Sequence, residues 1–207
     1  YFFDILRKYN FKTSISTNGL LLERNIETLI KYFDICPDIR FSIDGVNKET
    51  YEKIRFGGKY EVLLENIELA VKKLKPLGFR LSTNLTLTKD NLPELGQFIY
   101  FFSKYFDNPF HNISMNFMTS LSPSNNYFLK NNLMEEKTFL NKFCKYASRF
   151  SPYLLVNGKV SVCCRDYDGS LIVGDFDKEK NFSSIMKDEP FAELQEFHEN
   201  ALKEKSN

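Results

Sequence analysis

Asp44 is the carboxylate with the strongest claim to chemistry in this chain. It closes the run Ile39-Arg40-Phe41-Ser42-Ile43-Asp44-Gly45. Alternation there sets Ile39, Phe41 and Ile43 on one face of a strand and Arg40, Ser42 and Asp44 on the other, with Gly45 turning the backbone out. Polar residues recur at one parity in three further segments: Ser14, Ser16 and Asn18; Ser82, Asn84, Thr86 and Thr88; Asn112, Ser114 and Asn116. Four such lines point to a shared concave face of hydroxyls, amides and a carboxylate, with the opposite parity packed under helices. Burying such groups without partners costs about 1 to 3 kcal/mol each, which a polar ligand would offset. Mutual hydrogen bonding or ordered water is the alternative. Asn18, Asp44 and Thr88 stand at strand ends, where parallel α/β folds bind ligands. A carboxylate there accepts hydrogen bonds from vicinal hydroxyls such as a ribose pair; Asp44 also fits a plain turn residue before glycine.

Cys36, Cys144, Cys163 and Cys164 are too few and too irregularly spaced for a secreted disulfide framework, so a reducing, cytoplasmic setting is expected. His111 and His198 sit in no metal or nucleophile spacing. With 28 basic against 27 acidic residues there is no basic stripe for nucleic acid, and no run approaches the roughly 18 apolar residues of a membrane span. The start, Tyr1-Phe2-Phe3-Asp4-Ile5-Leu6, has no basic n-region or cleavage site and reads as the inside of a helix. Both ends are expected to be cut from a longer protein.

The elements that would position these residues follow from periodicity. Helical stripes are Phe2 to Tyr9, Leu22 to Phe33 closed by Pro37, a short Lys48 to Ile54, Leu63 to Leu74 running up to a capping Gly78, and Leu92 to Phe106 opened by Pro93. Strands are expected at 13–19, 39–45, 81–88 and 112–118. Alternating helices and strands predict βαβ units around a parallel sheet. A Ser/Asn/Pro-rich loop at 120–126 and a helix at 135–147 follow. After about residue 150 the texture changes: strands at 153–164 and 170–173 join through Asp166-Tyr167-Asp168-Gly169, and a last helix runs over 182–203. The division expected is 1–150 and 151–207.

Three stretches together resemble the radical S-adenosylmethionine (SAM) superfamily in the branch with a C-terminal SPASM or twitch extension. They are Ile15-Ser16-Thr17-Asn18-Gly19; Phe41-Ser42-Ile43-Asp44-Gly45 with Tyr51-Glu52-Lys53-Ile54-Arg55-Phe56-Gly57-Gly58; and Cys163-Cys164-Arg165-Asp166-Tyr167-Asp168-Gly169 through Gly174. The resemblance implies an α/β fold in which 1–150 supplies units three to six of a six-unit partial (β/α) barrel and 151–207 begins a SPASM-like module. It implies S-adenosylmethionine and a 4Fe-4S cluster as cofactors. Cleavage to a 5'-deoxyadenosyl radical, hydrogen abstraction from a peptide or small-molecule substrate, and an electron donor such as a flavodoxin or ferredoxin are implied as well.

Carried over by position, Ser42 and Asp44 are implied ribose contacts, Asn18 faces the substrate side, Arg55 reaches the cofactor carboxylate, and Asn84 lines the pocket. An ion-paired or solvated helix-end arginine is the other reading of Arg55. Cys163 and Cys164 are implied ligands of an auxiliary cluster, one of them more readily than both; a pair of buried thiols is the alternative. The Cys-x3-Cys-x2-Cys loop that holds the family's radical-generating cluster is not in this sequence and is expected upstream, so the chain alone is expected not to cleave the cofactor. The competing function is a degenerate, non-catalytic barrel that acts as a binding or partner module.

Overall fold

The computed structural model describes residues 1–106, 113–117, 152–162, 166, 169, 171–176, 181–188, 191–193 and 196. The described residues up to Phe117 form one unit and those from Pro152 on another. The boundary expected near residue 150, the 120–126 loop and the 135–147 helix lie outside the described residues.

In the first unit α1 (Phe2–Lys8), β1 (Ser14–Thr17), α2 (Leu22–Lys31), β2 (Asp38–Ser42), α3 (Lys48–Ile54), α4 (Tyr60–Lys73), β3 (Arg80–Leu87), α5 (Leu95–Ser103) and β4 (Ile113–Phe117) follow in order. The four strands are parallel and neighbour one another in sequence order, the α/β arrangement of a partial barrel. Register makes the polar lines one face. Ser16 pairs Arg40, which pairs Ser82, and Ser42 pairs Asn84, which pairs Ser114. Paired residues of neighbouring parallel strands point the same way. Ile39, Phe41 and Ile43 take the opposite face, where Leu22, Ile26 and Leu29 of α2, Leu63, Ile67 and Ala70 of α4 and Phe98 and Phe102 of α5 complete one core.

Several elements depart from their expected limits. α2 ends at Lys31, well before Pro37, because the chain leaves it through turns in which the amides of Ile35 and Cys36 both reach back to the Tyr32 carbonyl and bury their side chains. α4 stops at Lys73, and Gly78 ends a separate 3-10 turn over Lys75–Leu77 that contains Pro76. α1 forms, yet its apolar stripe buries nothing: Phe2, Ile5 and Tyr9 are exposed. Among the described residues β1 pairs only with β2 and is an edge of the sheet. Beside it a cavity of about 210 Å³ is lined by Phe3, Ile15, Leu21, Leu22 and Ile39 among others.

The second unit holds an antiparallel sheet of β5 (Tyr153–Leu154), β6 (Lys159–Ser161) and β7 (Ile172–Asp175), followed by α6 (Phe182–Ile185). The strand expected over 153–164 is thus two strands. Asn157-Gly158 breaks it: Gly158 takes a φ of +83°, which glycine tolerates, and Asn157 Oδ1 accepts the Lys159 amide at 3.1 Å. β7 lies two residues later than expected. The long final helix is interrupted, since 186–188 form turns before 191–193 become helical again. Val160, Val162, Val173, Ile185 and Phe191 make a small core. Asp166 is buried, its Oδ2 accepting from Ser161 Oγ at 2.6 Å and the Leu171 amide at 3.0 Å, which ties β6 to the start of β7.

Candidate functional site

The polar face runs across β2, β3 and β4, from the C-terminal end of β2 to the beginning of β4. Ser42, Asn84 and Ser114 stand side by side, half-buried, and Ser114 Oγ donates to Asn84 Oδ1 at 2.8 Å. This rung presents hydroxyls and an amide in one line, a surface suited to the hydroxyl groups of a sugar. Asn18 follows Thr17 at the end of β1; it is exposed, and its Oδ1 accepts the Leu20 amide at 3.2 Å. Arg40 and Ser16, one rung lower, are exposed.

Asp44 lies two residues beyond β2. Its side chain is 3% exposed and holds two protein partners: Oδ1 accepts the Thr86 amide at 2.7 Å and Oδ2 accepts Arg55 Nε at 2.5 Å. Each carboxylate oxygen keeps a second lone pair. Arg55, the C-cap of α3, is ion-paired to Asp44 and 35% exposed in its side chain. Ser42 and Asn84 therefore meet on one rung, Asp44 and Arg55 meet as a pair beside it, and Asn18 stands at the neighbouring strand end.

Local sequence explains why α3 returns Arg55 to Asp44. Asn47 caps the helix through Oδ1 to the Thr50 amide at 2.9 Å and donates Nδ2 to Glu94 Oε1 at 2.9 Å, while Thr50 Oγ1 donates to the same oxygen at 2.8 Å. Gly45 lets the helix lie against the strand exit: a Cβ there would stand 2.4 Å from the Tyr51 nitrogen. Tyr51 and Tyr60 pack ring to ring at 5.7 Å, and burial pushes the Tyr60 phenol up to about 12 and the Tyr51 phenol upward as well.

Two buried amides of the site carry no expectation from the sequence. Asn91 Nδ2 donates to the carbonyls of Asp44 at 3.0 Å and Thr86 at 2.8 Å, and its Oδ1 accepts the Thr88 amide at 2.8 Å. Thr88, read as a strand-end ligand contact, instead serves this turn, its Oγ1 accepting the amides of Asp90 and Asn91. Asn66 of α4 donates to the Gly19 carbonyl at 2.8 Å and so pins the turn after Asn18. A signal was available for Asn66, an amide on an otherwise apolar stripe; Asn91 looks like any turn residue.

Two family profiles match the chain. The radical SAM superfamily matches residues 1–99, and an iron-sulfur cluster-binding domain, SPASM, matches 144–206. The first match takes in 99 of the 207 residues, and the chain is similar to the radical SAM superfamily over that part. A GTP 3',8-cyclase of Synechocystis sp. (strain ATCC 27184 / PCC 6803 / Kazusa) is similar to it, 28% identical over 79 residues. That match takes in 38% of this chain and spans only 22% of the relative's length.

The two matches imply S-adenosylmethionine and 4Fe-4S clusters, the SPASM match an auxiliary cluster among them. The polar rung and the adjoining carboxylate and guanidinium fit a nucleoside cofactor that carries an amino-acid tail, by donor and acceptor type. The described residues do not fit a cluster: no group of three or more His, Cys, Asp or Glu that could hold a metal ion occurs among them, and Cys36 is buried with its thiol pushed up by desolvation. Cys163 and Cys164 lie outside the described residues. No helix among the described residues is long and apolar enough to cross a membrane.

Proposed function

We propose that this chain is part of a radical SAM enzyme whose polar sheet face binds S-adenosylmethionine. The single observation that carries this is the Ser42, Asn84 and Ser114 rung beside the Asp44 and Arg55 pair, all of them but Ser114 within the residues that the radical SAM family matches. With its cluster, the bound cofactor supplies one-electron cleavage of a sulfonium and hydrogen abstraction from a substrate. The residues here bind and orient. Ser42 and Asn84 offer hydrogen bonds to the ribose, Asp44 accepts from it through its remaining lone pairs, Arg55 offers guanidinium donors to the amino-acid carboxylate, and Asn18 faces the substrate.

The substrate is a peptide or a small molecule, and the relative's name points to a nucleotide. One of Cys163 and Cys164 contributes a thiolate to the auxiliary cluster, electrons come from a flavodoxin- or ferredoxin-like donor, and the setting is cytoplasmic. The radical-generating cluster is held by a Cys-x3-Cys-x2-Cys loop outside these 207 residues, so the chain alone does not cleave the cofactor.

One observation favours a second reading, a degenerate barrel that binds without catalysing: Arg55 Nε and Asp44 Oδ2 are already bonded to each other within the protein. Binding measurements address the rung directly. Ser42→Ala and Asn84→Ala are each expected to weaken S-adenosylmethionine about five- to tenfold with little change in melting temperature. Unchanged affinity in both variants would contradict the placement of the cofactor on this face.

A further inference from the structure

Asn91 stands behind the site and touches it only through other residues. We infer that Asn91 is a positioning residue, one that fixes Asp44, and through it Arg55, in the geometry that receives the cofactor. This rests on the reading of the polar face as the cofactor site. Three contacts hold Asp44. Two of its contacts come from the segment 86–91: the Thr86 amide grips Oδ1 at 2.7 Å, and Asn91 Nδ2 grips its carbonyl at 3.0 Å. The third, Arg55 Nε, is the group being positioned.

Asn91 also bonds the Thr86 carbonyl at 2.8 Å, so one side-chain amide joins the exits of β2 and β3 after their ladder has ended. That amide group has two hydrogens, and both are spent here. The residue is 3% exposed and is itself braced by Thr88, whose amide and hydroxyl close the turn around it. Two neighbours extend the same clamp to α3, the helix that carries Arg55. Asp90 pairs Lys53 at 2.8 Å, and Glu94 accepts from both Asn47 and Thr50. The turn after β3 thus holds the α3 segment at its start, along its length and at the residue its end must meet.

Removal of Asn91 would leave two buried carbonyls and one amide without partners and let the β2 exit drift relative to Thr86. The test is a double-mutant cycle on S-adenosylmethionine affinity in the natural full-length protein, with melting temperature recorded in parallel. Asn91→Ala is expected to weaken binding about tenfold in the otherwise native protein and about threefold in an Arg55→Ala background, where only the Asp44 contact is left to lose. The loss in melting temperature is expected to be alike in both. Asn91→Ser, which keeps a hydroxyl in the turn, takes its place if the alanine variant does not fold.

Equal affinity loss in both backgrounds, or none in either, would overturn the inference while leaving the site reading intact. No loss from Arg55→Ala itself would overturn the inference and the role given to Arg55 together. A native protein that does not bind S-adenosylmethionine would overturn the site reading and, with it, the inference.

Discussion

Arg55 Nε lies 2.5 Å from Asp44 Oδ2, a contact that closes the end of α3 onto the exit of β2. Asp44→Ala removes that partner and the acceptor of the Thr86 amide in a place from which water is nearly excluded. Because Arg55 keeps a third of its surface in water, the cost falls below that of a wholly buried pair, about 2 to 3 kcal/mol. Urea denaturation reads this as a lowered midpoint at unchanged slope. A midpoint equal to that of the native chain would mean the pair contributes nothing to the fold.

Gly45 gives a second prediction, independent of charge. A methyl group at Gly45 would meet Tyr51 N at 2.4 Å and Tyr51 Cα at 2.7 Å, both backbone atoms, so α3 itself must move. Gly45→Ala is expected to cost about 3 kcal/mol and to lower S-adenosylmethionine affinity, because Arg55 travels with the helix. Gly57→Ala makes a comparison: nothing lies within 4 Å of its added carbon, so its cost comes only from the positive φ of +78°. Thermal melts showing Gly45→Ala the milder of the two would refute this account of the α3 contact.

Tyr60 supplies the pH dependence. Its hydroxyl donates to the Val46 carbonyl, and burial raises the phenol from 10 to about 12. Above pH 10 the unfolded chain releases this proton while the folded chain holds it. The stability it contributes is therefore complete below pH 10 and is lost as pH rises toward 12. At neutral pH, Tyr60→Phe is expected to cost about 1 kcal/mol for the hydrogen bond. That gap should narrow between pH 10 and pH 12 when both proteins are titrated with denaturant. A gap constant across that range would show that the phenol is not held protonated by the fold.

Much of this site could be read from single residues, because alternation carries through a sheet. Ser42, Asn84 and Ser114 share a parity in sequence and a rung in space, since parallel register preserves parity once it is set. α3 matches its expected limits because Asn47 is a local cap. Long-range partners were beyond such a reading. Asp44 and Arg55 are 11 residues apart, and Asn91 reaches Asp44 across 47; no periodicity encodes either. The β5 and β6 division shows a different loss, since Asn157-Gly158 is a hairpin signal that the surrounding apolar run obscured. The break after α6 likewise had a signal in Pro190, which disfavours helix in the residue before it.

The proposed function makes this chain part of an enzyme that cleaves S-adenosylmethionine. Anaerobic reconstitution of the natural full-length protein with iron and sulfide, followed by reduction and an assay for 5'-deoxyadenosine, tests it most directly. 5'-Deoxyadenosine is expected from the native protein, and sharply less from Arg55→Ala. A protein with fully loaded clusters that binds the cofactor and forms no 5'-deoxyadenosine would contradict the enzymatic reading and leave the non-catalytic barrel in its place.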